Sequence, residues 1–161
     1  MTTDTLTIVA QVLQGYADRG VFRAFVAAPP RNGTAKFKFL WFPMATEPFT
    51  LVYSDPMRAL TFRRLLRDMP AKSQMYSEFK SYIKQRSSGD LPEHRRIDPQ
   101  RVAVKCSNRQ GDVSVTLSIK GNATEYGVRK AVNLISDLFQ DLLHESTYYE
   151  YMAEHFDMPE E

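Results

Sequence analysis

In several short stretches of this chain, apolar residues recur at every second position. A strand with one greasy face has to bury that face against something else. From Val21 to Ala28, Phe22, Ala24 and Val26 alternate with Arg23, Phe25 and Ala27. From Ala35 to Phe42, Phe37, Phe39 and Trp41 alternate with Lys36, Lys38 and Leu40, and from Phe49 to Ser54, Phe49, Leu51 and Tyr53 alternate with Thr50 and Val52. Further on, Val102, Val104 and Cys106 alternate with Arg101, Ala103 and Lys105. Val113, Val115, Leu117 and Ile119 then alternate with Ser114, Thr116, Ser118 and Lys120. Asn32-Gly33 and Gln110-Gly111 supply turn residues that tolerate left-handed backbone, so each sits between two of these strands as a hairpin connection.

Between the strands the period changes. Leu6, Ile8, Val9, Val12, Leu13 and Tyr16 lie on one helical stripe, which Thr3 or Asp4 can cap and Gly20 can end. Ser54-Asp55-Pro56 reads as a helix start, since proline at the first helical position gives up only an N–H that has no partner. That helix is predicted to run to about Asp68 and to end near Pro70. A second follows from about Ser73 to Arg86, and residues 87–98 read as an exposed connection. Asn122 or Thr124 is expected to cap a long helix carrying Val128, Ala131, Val132, Ile135, Leu138 and Leu142, which continues, or restarts at Ser146, within an acidic helical segment of about 123–157. The order is α-β-β-β-α-α-β-β-α. It predicts a single α+β domain over 1–161, a five-stranded antiparallel sheet with its helices mainly on one face, because such short strand connections cannot form parallel crossovers.

Charge is distributed unevenly. The net charge is only +2, yet no Lys or Arg follows Lys130, while eight acids do. The body is therefore strongly basic and its end acidic, which points to an anionic partner or to a tail that screens the body, or equally to an acidic solvent face on the last helix. No apolar run approaches the ~18 residues of a membrane-spanning helix, and the N-terminal residues carry no basic segment ahead of an apolar one. A cytoplasmic protein without membrane contact is the expectation. The single cysteine, Cys106, excludes an internal disulfide and a cysteine zinc cage.

Nothing in the sequence matches a catalytic signature. His94, His144 and His155 sit outside any metal or triad motif, and no phosphate-cradling glycine loop is present. Cys106 falls on an inward strand position, where a thiol usually behaves as a small hydrophobe. Asp137, Asp141, His144 and Glu145 can share one helix face, and such donors could hold a divalent metal; an acidic solvated face is the plainer account. The expectation is a protein without enzymatic activity, metal or cofactor.

Two constellations remain. Met57, Arg58, Phe62, Arg63 and Leu66 lie in the predicted arginine-rich helix, whose apolar positions are too many for a narrow stripe. With Tyr148, Tyr149 and Phe156 they form a candidate protein interface. The second is the outward set of the strands: Arg23, Phe25, Lys36, Lys38, Arg101, Lys105 and Lys120, with no Asp or Glu within any predicted strand. In one sheet these would make a basic face with an aromatic platform, a combination that binds single-stranded nucleic acid.

The order of elements (an N-terminal helix, three strands, a central helical region, two strands and a long final helix) resembles the type III secretion chaperone-like fold. The resemblance implies a homodimer that lacks enzymatic activity and holds segments of a client chain on apolar patches. The arginine-rich helix and the outward strand residues would then be its contacts. The leading expectation is thus a homodimeric, chaperone-like protein-binding module, and the alternative is a nucleic-acid or polyanion binder using the basic sheet face.

Overall fold

The computed structural model describes residues 4–41, 47–142 and 148–155. It is an α+β fold built on one antiparallel sheet, and the sheet has six strands rather than five. Helix α1 (Thr5–Asp18) leads into β1 (Arg23–Ala27), β2 (Thr34–Leu40), β3 (Phe49–Ser54) and β4 (Ala59–Leu66). Helix α2 (Gln74–Gln85), strands β5 (Val102–Arg109) and β6 (Asp112–Ile119), and helices α3 (Thr124–Gln140) and α4 (Tyr149–His155) complete it. The strand order is β1-β2-β3-β4-β6-β5. None of the described helices is long and apolar enough to cross a membrane.

The additional strand is β4, which replaces the expected arginine-rich helix. Asp55-Pro56 serves a reverse turn instead of a helix start: the Arg58 N–H donates to the Asp55 carbonyl at 3.1 Å, and Arg58 takes a φ of 50°. Proline is as well suited to the second position of such a turn as to the first turn of a helix. From there Ala59 to Arg63 pairs with Ser54 to Thr50. A bulge follows, in which Arg64 adopts a φ of 50° and the pairing with β6 slips by two residues between Phe62 and Leu66. Leu65 and Leu66 are both buried, and that breaks the alternation that would have marked a strand. The order that carries the family resemblance therefore has four strands, not three, before a single central helix.

Elsewhere local chemistry acts as its residue types predict. The Asp4 side chain accepts from the Leu6 N–H, and Ser73 accepts from the Tyr76 N–H at 3.1 Å, so both helix starts are capped. Arg31 and Thr34 exchange two backbone hydrogen bonds of 2.9 Å around Asn32-Gly33. Arg109 and Asp112 flank Gln110-Gly111 in the same way, and all four central residues have positive φ, the requirement of a two-residue hairpin turn. Helix α3 departs from expectation, since Ala123 is its N-cap and makes no side-chain cap. Thr124 is buried instead, and its hydroxyl accepts from Arg58.

The described helices share one face of the sheet. There Phe37, Leu51, Phe62 and Val115 form a cross-strand row, each at most 1% exposed, ending on the half-buried Cys106. Burial of each such side chain stabilises by about 1.5–3 kcal/mol. Phe22, Phe39, Trp41 and Phe49 pack ring to ring, and Phe139 of α3 meets Phe49 edge-on at 5.7 Å. Gly127 lets α3 approach β6 closely, because a Cβ there would stand 2.8 Å from Ile119. The connection over 87–98, expected to be exposed, is about half intermediate in burial and is pinned by Ile97, which is buried and whose N–H reaches the Arg86 carbonyl at 2.7 Å.

Candidate functional site

The opposite face of the sheet carries none of the described helices. Its side chains follow from the registers: Lys36, Val52, Thr61, Thr116 and Lys105 stand directly across from one another on β2, β3, β4, β6 and β5. At four strand spacings the two lysines are roughly 19 Å apart along this row. A second row, Lys38, Thr50 and Arg63, lies two residues along the strands, about 7 Å away. Ser107, Ser114 and Ser118 extend the hydroxyl lining on β5 and β6. Lys36, Lys38, Arg63 and Lys105 are exposed and enter no ion pair with a described residue. Asp112, at the start of β6, is the one acid whose strand position faces this side among the described residues, and Arg64 neutralises it at 3.1 Å.

Three residues of the expected basic face stand elsewhere. Phe25 turns to the helix side and packs on Phe37 and Phe39 at 6.0 and 6.1 Å. The cause is a bulge in β1 at Ala24, with a φ of 52°, which reverses the alternation so that Val26 is the exposed residue, at 62%. Arg101 and Lys120 lie just past the ends of β5 and β6. The Arg101 guanidinium stacks over Tyr126 at 4.8 Å, and the Lys120 ammonium donates to the Pro99 carbonyl at 2.9 Å, so both fasten the far end of the sheet. Arg23, Lys36, Lys38 and Lys105 keep their places, and Arg63 joins them from β4, the strand that stands where a helix is expected.

The expected protein interface does not assemble. Phe62, Leu66 and Tyr148 are at most 1% exposed, within the core. Met57 stands out at 76% exposure on a hairpin turn, apart from the buried Phe62, Leu66 and Tyr148. Arg58 donates to the Gly121 carbonyl and ties that turn to the start of α3. Phe156 and the side chain of Tyr149 lie outside the described residues. Helix α4 packs on the protein itself: the Tyr148 hydroxyl donates to the Met75 carbonyl and the Tyr151 hydroxyl to that of Arg67, at 2.7 and 2.6 Å.

The acids of α3 are also occupied. Arg86, 3% exposed, meets Asp137 at 2.6 Å, and Arg95 reaches Asp141 at 2.7 Å. His144 and Glu145 lie outside the described residues, and no group of three potential metal ligands occurs among those described. His94 is exposed, on the rim of a shallow cleft with Arg96, Tyr126 and Lys130.

Cys106 lies 3.9 Å from the Tyr76 hydroxyl. Burial pushes its thiol above the ordinary range, and the Tyr76 hydrogen bond and nearby Lys80 offset this only in part. Burial, with Cys106 beside it, likewise pushes the Tyr76 phenol up to about 12. A raised thiol pKa leaves less thiolate at a given pH. Alkylation of Cys106 by iodoacetamide at pH 8 is therefore expected to run slower than that of free cysteine, with its rate still climbing at higher pH. An equal or faster rate at pH 8 would contradict this burial.

No family model, curated protein or solved structure matches this chain.

Proposed function

We propose that this chain is a binding module without catalytic activity that holds a nucleic-acid strand by its phosphates on the open face of the sheet. The observation that carries the reading is the pair of cross-strand rows. Four exposed cations are held on the strands with hydroxyls between them, and Asp112, the one acid at a strand position on that side among the described residues, is paired with Arg64. Lys, Arg, Ser and Thr are the side chains that contact phosphate oxygens, and such contacts are independent of sequence. Phe25 does not reach this face, and no aromatic residue occupies an open-face strand position among the described residues, so the reading is one of backbone rather than base binding. The client-binding, homodimeric reading ranks below it, because Phe62, Leu66 and Tyr148 are enclosed in the core.

The test is fluorescence anisotropy with labelled single-stranded oligonucleotides of several sequences across a salt series. Four phosphate contacts predict a slope of log affinity against log salt of roughly −3, similar for every sequence. Absence of binding at low salt, or binding indifferent to salt, would remove the proposal.

A further inference from the structure

At one end of the open face the surface deepens into a cleft of about 500 Å³, lined by Lys38, Thr50, Arg63, Arg64 and Arg67 together with Glu47, Asp68 and Glu154. Its position is set by the β4 bulge. In an unbroken strand, successive side chains point to opposite faces, and Arg63 and Arg64 would be separated by the sheet. With Arg64 in the left-handed region, the Arg64 N–H donates to the Ser114 hydroxyl at 3.0 Å and its guanidinium reaches Asp112. Both partners belong to the open face, so two consecutive arginines stand on the same side. A non-glycine residue at positive φ costs on the order of 1 kcal/mol, and strain of that kind gathers at binding sites.

The charges in the cleft are not equivalent. Arg64 is spent on Asp112 and Arg67 on Glu47. Lys38 and Arg63, in one row with the Thr50 hydroxyl between them, form no ion pair with a described residue. Glu47, Asp68 and Glu154 share the cleft with them. Glu47 lies three residues before Thr50 and Asp68 five after Arg63, outward along the chain from the row of Lys38 and Arg63. A polyanion that continues outward past this row approaches carboxylates, whereas one that ends on it meets those two cations first. From there the open face leads on to the row of Lys36 and Lys105.

We infer that this cleft receives the terminal phosphate monoester of the strand, the rest of the chain crossing the open face. The inference rests on the proposed nucleic-acid reading and gives that reading an end. A monoester carries nearly two negative charges at neutral pH and three terminal oxygens, against one charge for an internal diester, so Arg63 and Lys38 discriminate between them.

The experiment compares oligonucleotides of one sequence bearing a 5′-phosphate, a 3′-phosphate or two hydroxyl ends. A phosphate at one of the ends is expected to tighten binding roughly five- to tenfold. In Arg63→Gln that increment should vanish, while Lys105→Gln should weaken all three ligands alike and keep it. Equal affinity for all three oligonucleotides, or an increment that survives Arg63→Gln in a chain with an unchanged thermal melt, would overturn the inference and leave the general reading standing. Failure of every oligonucleotide to bind would overturn both. Inorganic phosphate that binds as tightly as the phosphorylated strand would show a site for the free anion and would likewise overturn the strand-end assignment.

Discussion

An Asp137→Ala chain is expected to lose about 3–5 kcal/mol of stability, the largest single effect anticipated on the helix side of the sheet. Arg86 lies almost wholly inside, 3% exposed, with Asp137 at 2.6 Å as its counter-charge. Its Nε already lacks a hydrogen-bond partner, and its guanidinium sits 5.7 Å from the Tyr82 ring. Removing the carboxylate leaves a guanidinium that is itself almost wholly buried without its counter-charge. The reverse change is milder: Arg86→Met removes the buried charge and keeps the side chain's apolar length, while Asp137 still has Arg95 at 3.6 Å and is a quarter exposed. Arg86→Met should therefore cost less than about 1.5 kcal/mol. Urea midpoints of the two variants test the asymmetry. Equal, small losses would mean that the pair is solvated and that α2 and α3 are not joined through it.

How far the sequence discloses this fold depends on where strands stay regular. β2 and β6 keep strict alternation from end to end, β3 departs from it only at the buried Val52, and their expected inward residues, Phe37, Leu51 and Val115 among them, are core residues. The two hairpin turns are legible because Asn32-Gly33 and Gln110-Gly111 combine residues that accept positive φ. β4 is hidden by two local ambiguities acting together. Asp55-Pro56 fits a helix start and a reverse turn equally, and the bulge at Arg64 inserts residues that make Leu60, Phe62, Leu65 and Leu66 look too dense for period two. One signal was present. Leu60, Thr61, Phe62 and Arg63 do alternate, and they follow a strand after a turn short enough for the two to pair.

The open face was legible to the same extent and for the same reason. Lys36, Lys38 and Lys105 sit in strands without a bulge, so parity alone places them. Phe25 was misplaced by the bulge at Ala24, and Arg63 was missed with its strand. Arg101 and Lys120 follow the parity of their strands but fall beyond the last paired residues, where side chains turn to whatever lies at the sheet's end, here Tyr126 and the Pro99 carbonyl. Of the acidic end, the described part turns to the helix side and the rim: Tyr148 and Tyr151 are fastened to Met75 and Arg67, and Glu154 reaches the rim cleft.

Turning Lys36, Lys38 and Lys105 together into Glu is expected to weaken nucleic-acid binding on the order of 100-fold at low salt and to flatten the salt slope by about two. Because the chain's net charge is only +2, a charge change of this size would also alter long-range attraction, and that effect must be separated from loss of the face. Lys72, Lys84 and Arg129 provide the comparison. They are exposed, lie before α2, on α2 and on α3, and give the same change in net charge when replaced by Glu. At 0.1 M salt, where charges more than ~10 Å apart are largely screened, the helix-side triple variant should lose less than about fivefold and keep its slope. Both variants change only exposed side chains, so their thermal melts should stay near that of the parent. Equal losses in the two triples would assign binding to overall charge rather than to the sheet. A slope unchanged in the Lys36, Lys38 and Lys105 variant would mean that phosphates are held somewhere other than on these strands.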